Sequence, residues 1–327
     1  MRRREFITLL GGTTVTWPLV ARAQQTGKVP RIGLLGAASA SGFTNQLAGF
    51  RLGLRDLGYI EGTNVLIEYR WAEGRYERIP ELAAELVRSN VDVIVTHGTP
   101  GGLAAKQATA TIPIVIASVG DPVASGIVAS VARPGGNITG LSFFNPELRS
   151  KRIELLKEMM PDLTRVAILS NPDNTATTGP ELQAMDIAAR SLKVGLQEFP
   201  VRGPEEFESA FEKMAQGHLE AVEISDDAIF TANTGALAAL ATKLRLPSIG
   251  NDELARAGGI IGYGVDFSVM WRRAAVFVDK ILKGAKPADL PIEQATKFST
   301  VVNLKAAKAI DVTVPTSMLL RADEVIE

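Results

Sequence analysis

Six turns in this sequence carry small or polar side chains at the point where an apolar run ends. Three are small and mostly neutral: Gly36-Ala37-Ala38-Ser39-Ala40-Ser41, His97-Gly98-Thr99-Pro100-Gly101 and Ser118-Val119-Gly120-Asp121-Pro122. Three are rich in Asn and Asp: Asn171-Pro172-Asp173-Asn174, Ser225-Asp226-Asp227 and Gly250-Asn251-Asp252. Glycine lets main-chain N–H groups at a helix start approach an anion closely, and the Ser39 and Thr99 hydroxyls each add a donor. The Asn and Asp groups suit an ammonium instead. One wall for a carboxylate facing one for an amine is what a free amino acid needs. The candidate ligand-binding residues are Ser39, Ala40, Gly98, Thr99 and Asp121 on the first wall, and Asn171, Asp226 and Asn251 on the second. Trp71 and Tyr263 stand at strand positions from which a ring could stack on a flat ligand. The same residue types also serve as steric turns and helix caps, so no single turn is decisive.

Catalytic patterns do not emerge. The chain has two histidines: His97 at a strand end and His218 beside a glycine turn. A nucleophile elbow GxSxG is absent, and Asp226 and Asp227 are adjacent strand-end residues whose side chains are expected to point to opposite sides, which makes them poor acid/base partners. Gly98–Gly102 does not fit a phosphate loop, because the first following lysine is Lys106, and no GxGxxG follows a strand. No nucleotide cofactor and no metal site is therefore expected, and the reading is a binder rather than an enzyme.

The elements that hold these turns alternate. RIGLLG (31–36), VLIEYR (65–70), VDVIVT (91–96) and IPIVIAS (112–118) are apolar runs separated by helical patterns, among them Leu47, Phe50, Leu54 and Leu57, and a helix from Gly101. Continuous apolar strands alternating with helices indicate a parallel sheet covered on both faces. The grammar restarts near 148, with strands RVAILS (165–170), VGLQEFP (194–200), LEAVEIS (219–225) and LPSIG (246–250). A glycine-rich strand at 258–267, a helix at 268–284, an extended proline-bearing stretch at 286–298 and the strand STVVN (299–303) follow. The expected fold is α/β: two doubly wound parallel-sheet lobes joined by three crossover strands. The expected boundaries are 30–143 plus 265–290 for lobe 1 and 144–262 plus 298–327 for lobe 2, with hinges near 142–147, 262–266 and 291–298.

Length and composition agree with two ordinary globular domains: 327 residues, 46% hydrophobic and 22% charged. A net charge of −1 gives no electrostatic case for nucleic acid. Residues 1–23 have a twin-arginine-like start (Arg3-Arg4-Glu5-Phe6-Ile7), a modest apolar run and an Ala21-Arg22-Ala23 exit, the layout of an export signal. Removing them takes away four arginines and one glutamate, so the net charge becomes −4. With no cysteine for a disulfide or a lipid anchor, a soluble periplasmic monomer is expected.

Four stretches carry a family resemblance: RWAEGRYERIPELAAELV (70–87), GDPVASGIVASVARPGGNITGLS (120–142), MWRRAAVFVDKILKGAKPADLPIEQATKF (270–298) and NLKAAKAI (303–310). Together they resemble ABC-transporter substrate-binding proteins of the tryptophan/tyrosine-binding type. The resemblance implies a type I periplasmic binding protein fold, a cleft between lobes and a membrane permease as partner. It also implies an aromatic amino acid or aromatic acid as the small-molecule ligand, captured by hinge closure. A two-lobed enzyme acting on a small carboxylate and a receptor for branched-chain or other amino acids are the alternatives.

Overall fold

Residues 28–143 and 146–327 are described by a computed structural model; the export signal read at 1–23 lies outside them. Among the described residues there are thirteen strands, most of them from the apolar runs: β1 Arg31–Gly36, β2 Leu66–Trp71, β3 Val93–His97, β4 Ile114–Val119, β5 Ile138–Ser142, β6 Arg165–Ser170, β7 Gly195–Pro200, β8 Ala221–Ile224, β9 Ser248–Gly250, β10 Ile261–Gly264, β11 Glu293–Gln294, β12 Ser299–Asn303 and β13 Glu324–Ile326. β3, β4 and β5 are buried at every residue, as expected of strands covered on both faces.

Two sheets result. The first has the order β11-β5-β4-β3-β1-β2 and the second β13-β12-β10-β9-β8-β6-β7. All pairings are parallel except β10 with β12, where Ser299 lies opposite Gly264 and Val302 opposite Ile261. The reversal follows from the route of the chain. β12 enters directly from the first lobe, beside the carboxyl end of β10, and can only run back along it.

The chain passes between the sheets after β5, after β10 and after β11. After β10 it returns to the first lobe as the helix Phe267–Leu282, which crosses the helix Thr44–Asp56. Gly49 and Gly53 make that crossing close, since a Cβ on either would meet the backbone oxygen of Ser268 or Arg272 at 2.4 or 2.3 Å. Trp271 fills the space behind, fully buried against Phe43 and Phe50.

The helix expected from Gly101 begins earlier, at Gly98, with His97 as its cap. Pro100 does not delay it, because the first turn of a helix has no use for the missing N–H. What reads as a bare turn is thus the amino end of an eleven-residue helix. One apolar cluster runs through the first lobe and the facing side of the second sheet; another, around Ile153, Leu156, Ile168 and Ile249, backs the second sheet.

Candidate functional site

The carboxyl ends of strands from both sheets converge on one cleft. Ala37 follows β1, Gly98 to Pro100 follow β3, Gly120 follows β4 and Phe143 follows β5; Ser170 and Asn171 stand at the end of β6, and Ser225 to Ala228 follow β8. Tyr76 from the first lobe, and Arg149, Asn174, Thr178 and Glu181 from second-lobe helices and their caps, complete the lining. The chamber encloses about 550 Å3 of non-protein space with its mouth included, of which about 40 Å3 admits the centre of a water molecule. A smaller chamber adjoins it through Gly98, Phe143, Asp226 and Ala228, and its other walls are Phe43, His97 and Phe267 with the smaller Ser118 and Thr231. The cleft therefore has a polar end and an aromatic end.

Charge at the polar end is organised around Glu223, a glutamate within the short apolar strand β8. It is fully buried and is bridged by Arg149 through Nε (3.0 Å) and Nη2, and by Arg152 Nη1 at 3.2 Å. Arg149 Nη1 also donates to Glu181 Oε2 at 2.8 Å, and Arg152 Nη2 to Asp226 Oδ1 at 2.9 Å. Burial opposes the ionised form of Glu223, but the two guanidiniums outweigh it and hold its carboxyl below the usual range. For Glu181, burial prevails over Arg149 and raises the pKa.

Asp227 is held differently. Its Oδ1 accepts from the Tyr76 hydroxyl (2.8 Å), Asn171 Nδ2 (3.1 Å) and its own helix at Ile229 N (3.0 Å). Its Oδ2 accepts from Asn174 Nδ2 at 3.1 Å. Burial raises the Asp227 pKa against these donors. At the aromatic end, Phe43 and His97 have ring centroids 4.3 Å apart, and Phe143 meets Phe267 edge-on at 5.2 Å. Burial lowers the pKa of His97 to about 3, so its imidazole is neutral at working pH.

Of the residues singled out in the sequence, Gly98, Thr99, Asn171 and Asp226 are brought together in this cleft. Ser39 instead caps the short helix Ala40–Phe43, and Ala40 is exposed. Trp71 packs its ring over Gly36 and stacks on Tyr69. The Asp121 carboxylate accepts from Val123 N and Ala124 N, so its neighbour Gly120 lines the cleft instead. Asn251 caps the helix Asp252–Arg256, and Tyr263 stacks on Phe298. Asp226 and Asp227 both reach the cleft because β8 ends at Ile224, so strand alternation no longer governs them. Tyr76, Arg149 and Glu181 were not singled out from the sequence. Two signals did exist: Glu223 inside an apolar run, and Arg149 and Arg152 one turn apart on a helix.

A family model described as ABC transporter substrate binding protein matches residues 31–326. The chain belongs to that family. It is a substrate-binding protein, built as two α/β lobes of the periplasmic binding protein kind. A curated relative, a tyrosine-binding protein of Clostridioides difficile, is 24% identical over 264 residues, covering 80% of this chain and 75% of the relative. A solved conserved domain protein from Vibrio cholerae is 27% identical with a TM-score of 0.84, covering 91% of this chain and 100% of that one. A Streptococcus pneumonia ABC domain in complex with L-Trp is 24% identical with a TM-score of 0.83, covering 91% of this chain and 100% of that one. Among the described residues, no helix is long and apolar enough to cross a membrane and no carboxylate, His or Cys cluster could hold a metal ion.

Proposed function

We propose that this substrate-binding protein is the periplasmic receptor of an ABC importer. It captures a small carboxylate-bearing aromatic ligand, an aromatic amino acid or an aromatic acid, by hinge closure. The lobes turn about the crossings of the chain that follow β5, β10 and β11, and an inner-membrane permease reads the closed form.

The observation that carries this reading is the division of the cleft. Phe43, Phe143, Phe267 and neutral His97 offer an apolar slot at one end, while the carboxylates and amides of the second lobe line the other. The amino end of the helix Gly98–Ala108 opens onto both chambers. Its first N–H groups have no intrahelical acceptor, and its dipole favours an anion, so the ligand carboxylate belongs there with the Thr99 hydroxyl. With so little free volume between the lobes, a ligand enters when they part and is enclosed when they meet. Contacts to both lobes are what make closure depend on the ligand. The similarity to a tyrosine-binding protein and to a chain solved with L-Trp supports the aromatic class.

The test is a calorimetric and thermal-shift screen of the purified chain against aromatic amino acids, aromatic acids and branched-chain amino acids. Micromolar binding by an aromatic member, with a radius of gyration that shrinks on binding, is expected. Failure of every aromatic compound to bind or to shift the melting temperature at millimolar concentration overturns the reading.

A further inference from the structure

We propose that Gln46 and Glu253 form a proton-coupled latch between the lobes: closure on a ligand takes up a proton at Glu253, so the receptor holds its ligand more tightly in acid than at alkaline pH. This rests on the closure reading above and adds a regulation to it.

The first support is geometric. Beside the aromatic end of the cleft, which it meets at Thr231, a second groove runs between the lobes. Gly42 and Ala232 line it from opposite sides, so close that a Cβ on Gly42 would collide. Gln46 stands in the first turn of the helix Thr44–Asp56 of the first lobe, and Glu253 in the helix Asp252–Arg256 of the second. Gln46 Nε2 donates to Glu253 Oε1 at 2.9 Å and to Oε2 at 3.0 Å, across 207 positions of sequence. The groove encloses about 1140 Å3 of non-protein space with its open mouth included, so solvent protons reach the carboxyl. Parting the lobes takes away Gln46 and the cover of the first lobe, and leaves Glu253 hydrated.

The second is charge. Asp252 precedes Glu253, and Asp266 faces it from the crossing after β10. Among the described lining residues Arg256 is the one cation, and it is committed elsewhere: Nη1 to Asp252, Nε and Nη2 to Glu324 at 3.1 and 2.9 Å. Four carboxylates thus share one guanidinium, and none of its nitrogens bonds to Glu253. The helix also packs on β9, β10, β12 and the helix Thr234–Lys243. These bring Tyr263, stacked on Phe298, and Lys243, paired with Glu208 at 2.9 Å.

Enclosing a further negative charge there is unfavourable, and a neutral carboxyl avoids it. Burial first and Asp252 next raise the Glu253 pKa to about 7 in the closed molecule, with Asp266 adding and Gln46 and Arg256 opposing. Opening releases the larger effect, burial, along with the smaller one, Gln46, so the pKa falls toward the ordinary carboxyl range. The closed form then carries a proton that the open form has lost, and affinity declines as pH rises through 7. Protonation does not break the latch. An amide has both a donor and an acceptor, so the acid O–H donates to Gln46 Oε1 while Nε2 keeps the other oxygen.

Isothermal titration of the full chain with L-tryptophan, L-tyrosine and benzoate at pH 6 and pH 8, repeated at pH 7 in buffers of different ionisation enthalpy, tests this. The Kd of the bound compound is expected to rise roughly fivefold from pH 6 to pH 8, with about 0.4 proton taken up at pH 7. Glu253→Gln imitates the protonated carboxyl. It should abolish both the pH dependence and the proton uptake, and bind more tightly than wild type at pH 8. Should Glu253→Gln not fold, Gln46→Glu serves: it sets a second carboxyl against the first and must steepen the loss of affinity toward pH 8. Equal wild-type affinity at the two pH values, a Glu253→Gln chain that keeps the wild-type dependence, or an unchanged slope in Gln46→Glu overturns the latch while leaving capture standing. Absence of binding by all three compounds at both pH values overturns capture and the latch with it.

Discussion

The Tyr76 hydroxyl donates to Asp227 Oδ1 at 2.8 Å, tying the first lobe to the second across 151 positions of sequence. The tyrosine is buried, and its ring lies between the polar chamber and an outer groove lined by Ile79, Pro80, Leu103 and Pro172. It is both a wall of the cleft and a latch that exists only while the lobes are together. A hydrogen bond to a charged group contributes about 1.5–3 kcal/mol, but Asp227 Oδ1 keeps two other donors, so the loss should be nearer about 1 kcal/mol. Tyr76→Phe is expected to raise the ligand Kd roughly five- to tenfold, mostly through faster release. Stopped-flow release and calorimetry measure this, and an unchanged Kd would show that the latch is not used.

Closure also depends on Gly42. A Cβ there would lie 2.4 Å from the Ala232 Cβ and 2.7 Å from its carbonyl oxygen, on the opposite lobe. Neither partner is the end of a flexible side chain, so the lobes must separate. Gly42→Val is expected to hold the molecule open in saturating ligand and to cost at least tenfold in affinity. Its solution scattering should match the ligand-free wild type. A variant that still compacts on ligand addition would refute the closure contact.

The buried pairs around Glu223 set the stability of the second lobe. Neutralising one member leaves the others uncompensated in a place from which water is excluded, at about 3–5 kcal/mol. Glu223→Leu leaves Arg149 with Glu181 and Arg152 with Asp226, neither bidentate. The melting temperature of the ligand-free variant should fall by roughly 10 °C. A fall of under about 2 °C by circular dichroism would mean that the network is not needed for folding.

Glu253 should give the protein a stability component that fades toward alkaline pH. Burial, with Asp252 adding repulsion, raises its pKa from 4.5 to about 7. Asp266 adds to the shift; Arg256 opposes it, as does Gln46 across the lobe boundary, which donates to both carboxylate oxygens at 2.9 and 3.0 Å. The folded chain therefore holds a proton between pH 4.5 and 7 that the unfolded chain releases. The contribution is greatest below pH 4.5 and is lost as pH rises through 7. Discounted for partial exposure, it is worth roughly 1–2 kcal/mol. Glu253→Gln should flatten the urea-midpoint profile over that window relative to wild type, and parallel profiles would count against the shift.

His97 works in the other direction. Its pKa falls from 6.5 to about 3 on burial alone, so protonation is easier in the unfolded chain. Its contribution is complete above pH 6.5 and is lost as pH falls from there toward 3. His97→Phe, placed among Phe43 and Trp271, should remove this acid limb without disturbing the alkaline one. Equal acid sensitivity in both proteins would disprove it.

The alternation of apolar strands and helices was legible because a parallel strand buried on both faces writes itself locally, as in RIGLLG and RVAILS. The two-lobe plan followed from that pattern restarting, and the turns after β1, β3, β4, β6 and β8 were correctly located as the ends of strands. The reversal of β12 against β10 left no local mark, since antiparallel and parallel neighbours are chosen by the path of the chain and not by the strand itself.

The cleft was legible only in part. Gly98, Thr99, Asn171 and Asp226 were named from their turns and do line it. Ser39, Asp121 and Asn251 have the same chemistry in the same kind of turn, yet their side chains are spent on backbone N–H groups nearby. Sequence determines that a polar side chain stands at a strand end; whether it caps its own helix or faces a ligand depends on which way that helix leaves the sheet. Tyr76, Arg149 and Glu181 come from segments far apart in the chain, and what unites them is the orientation of two sheets connected at three crossings. That orientation is a sum of many packing contacts between the lobes and their hinges, and no short stretch of sequence contains it.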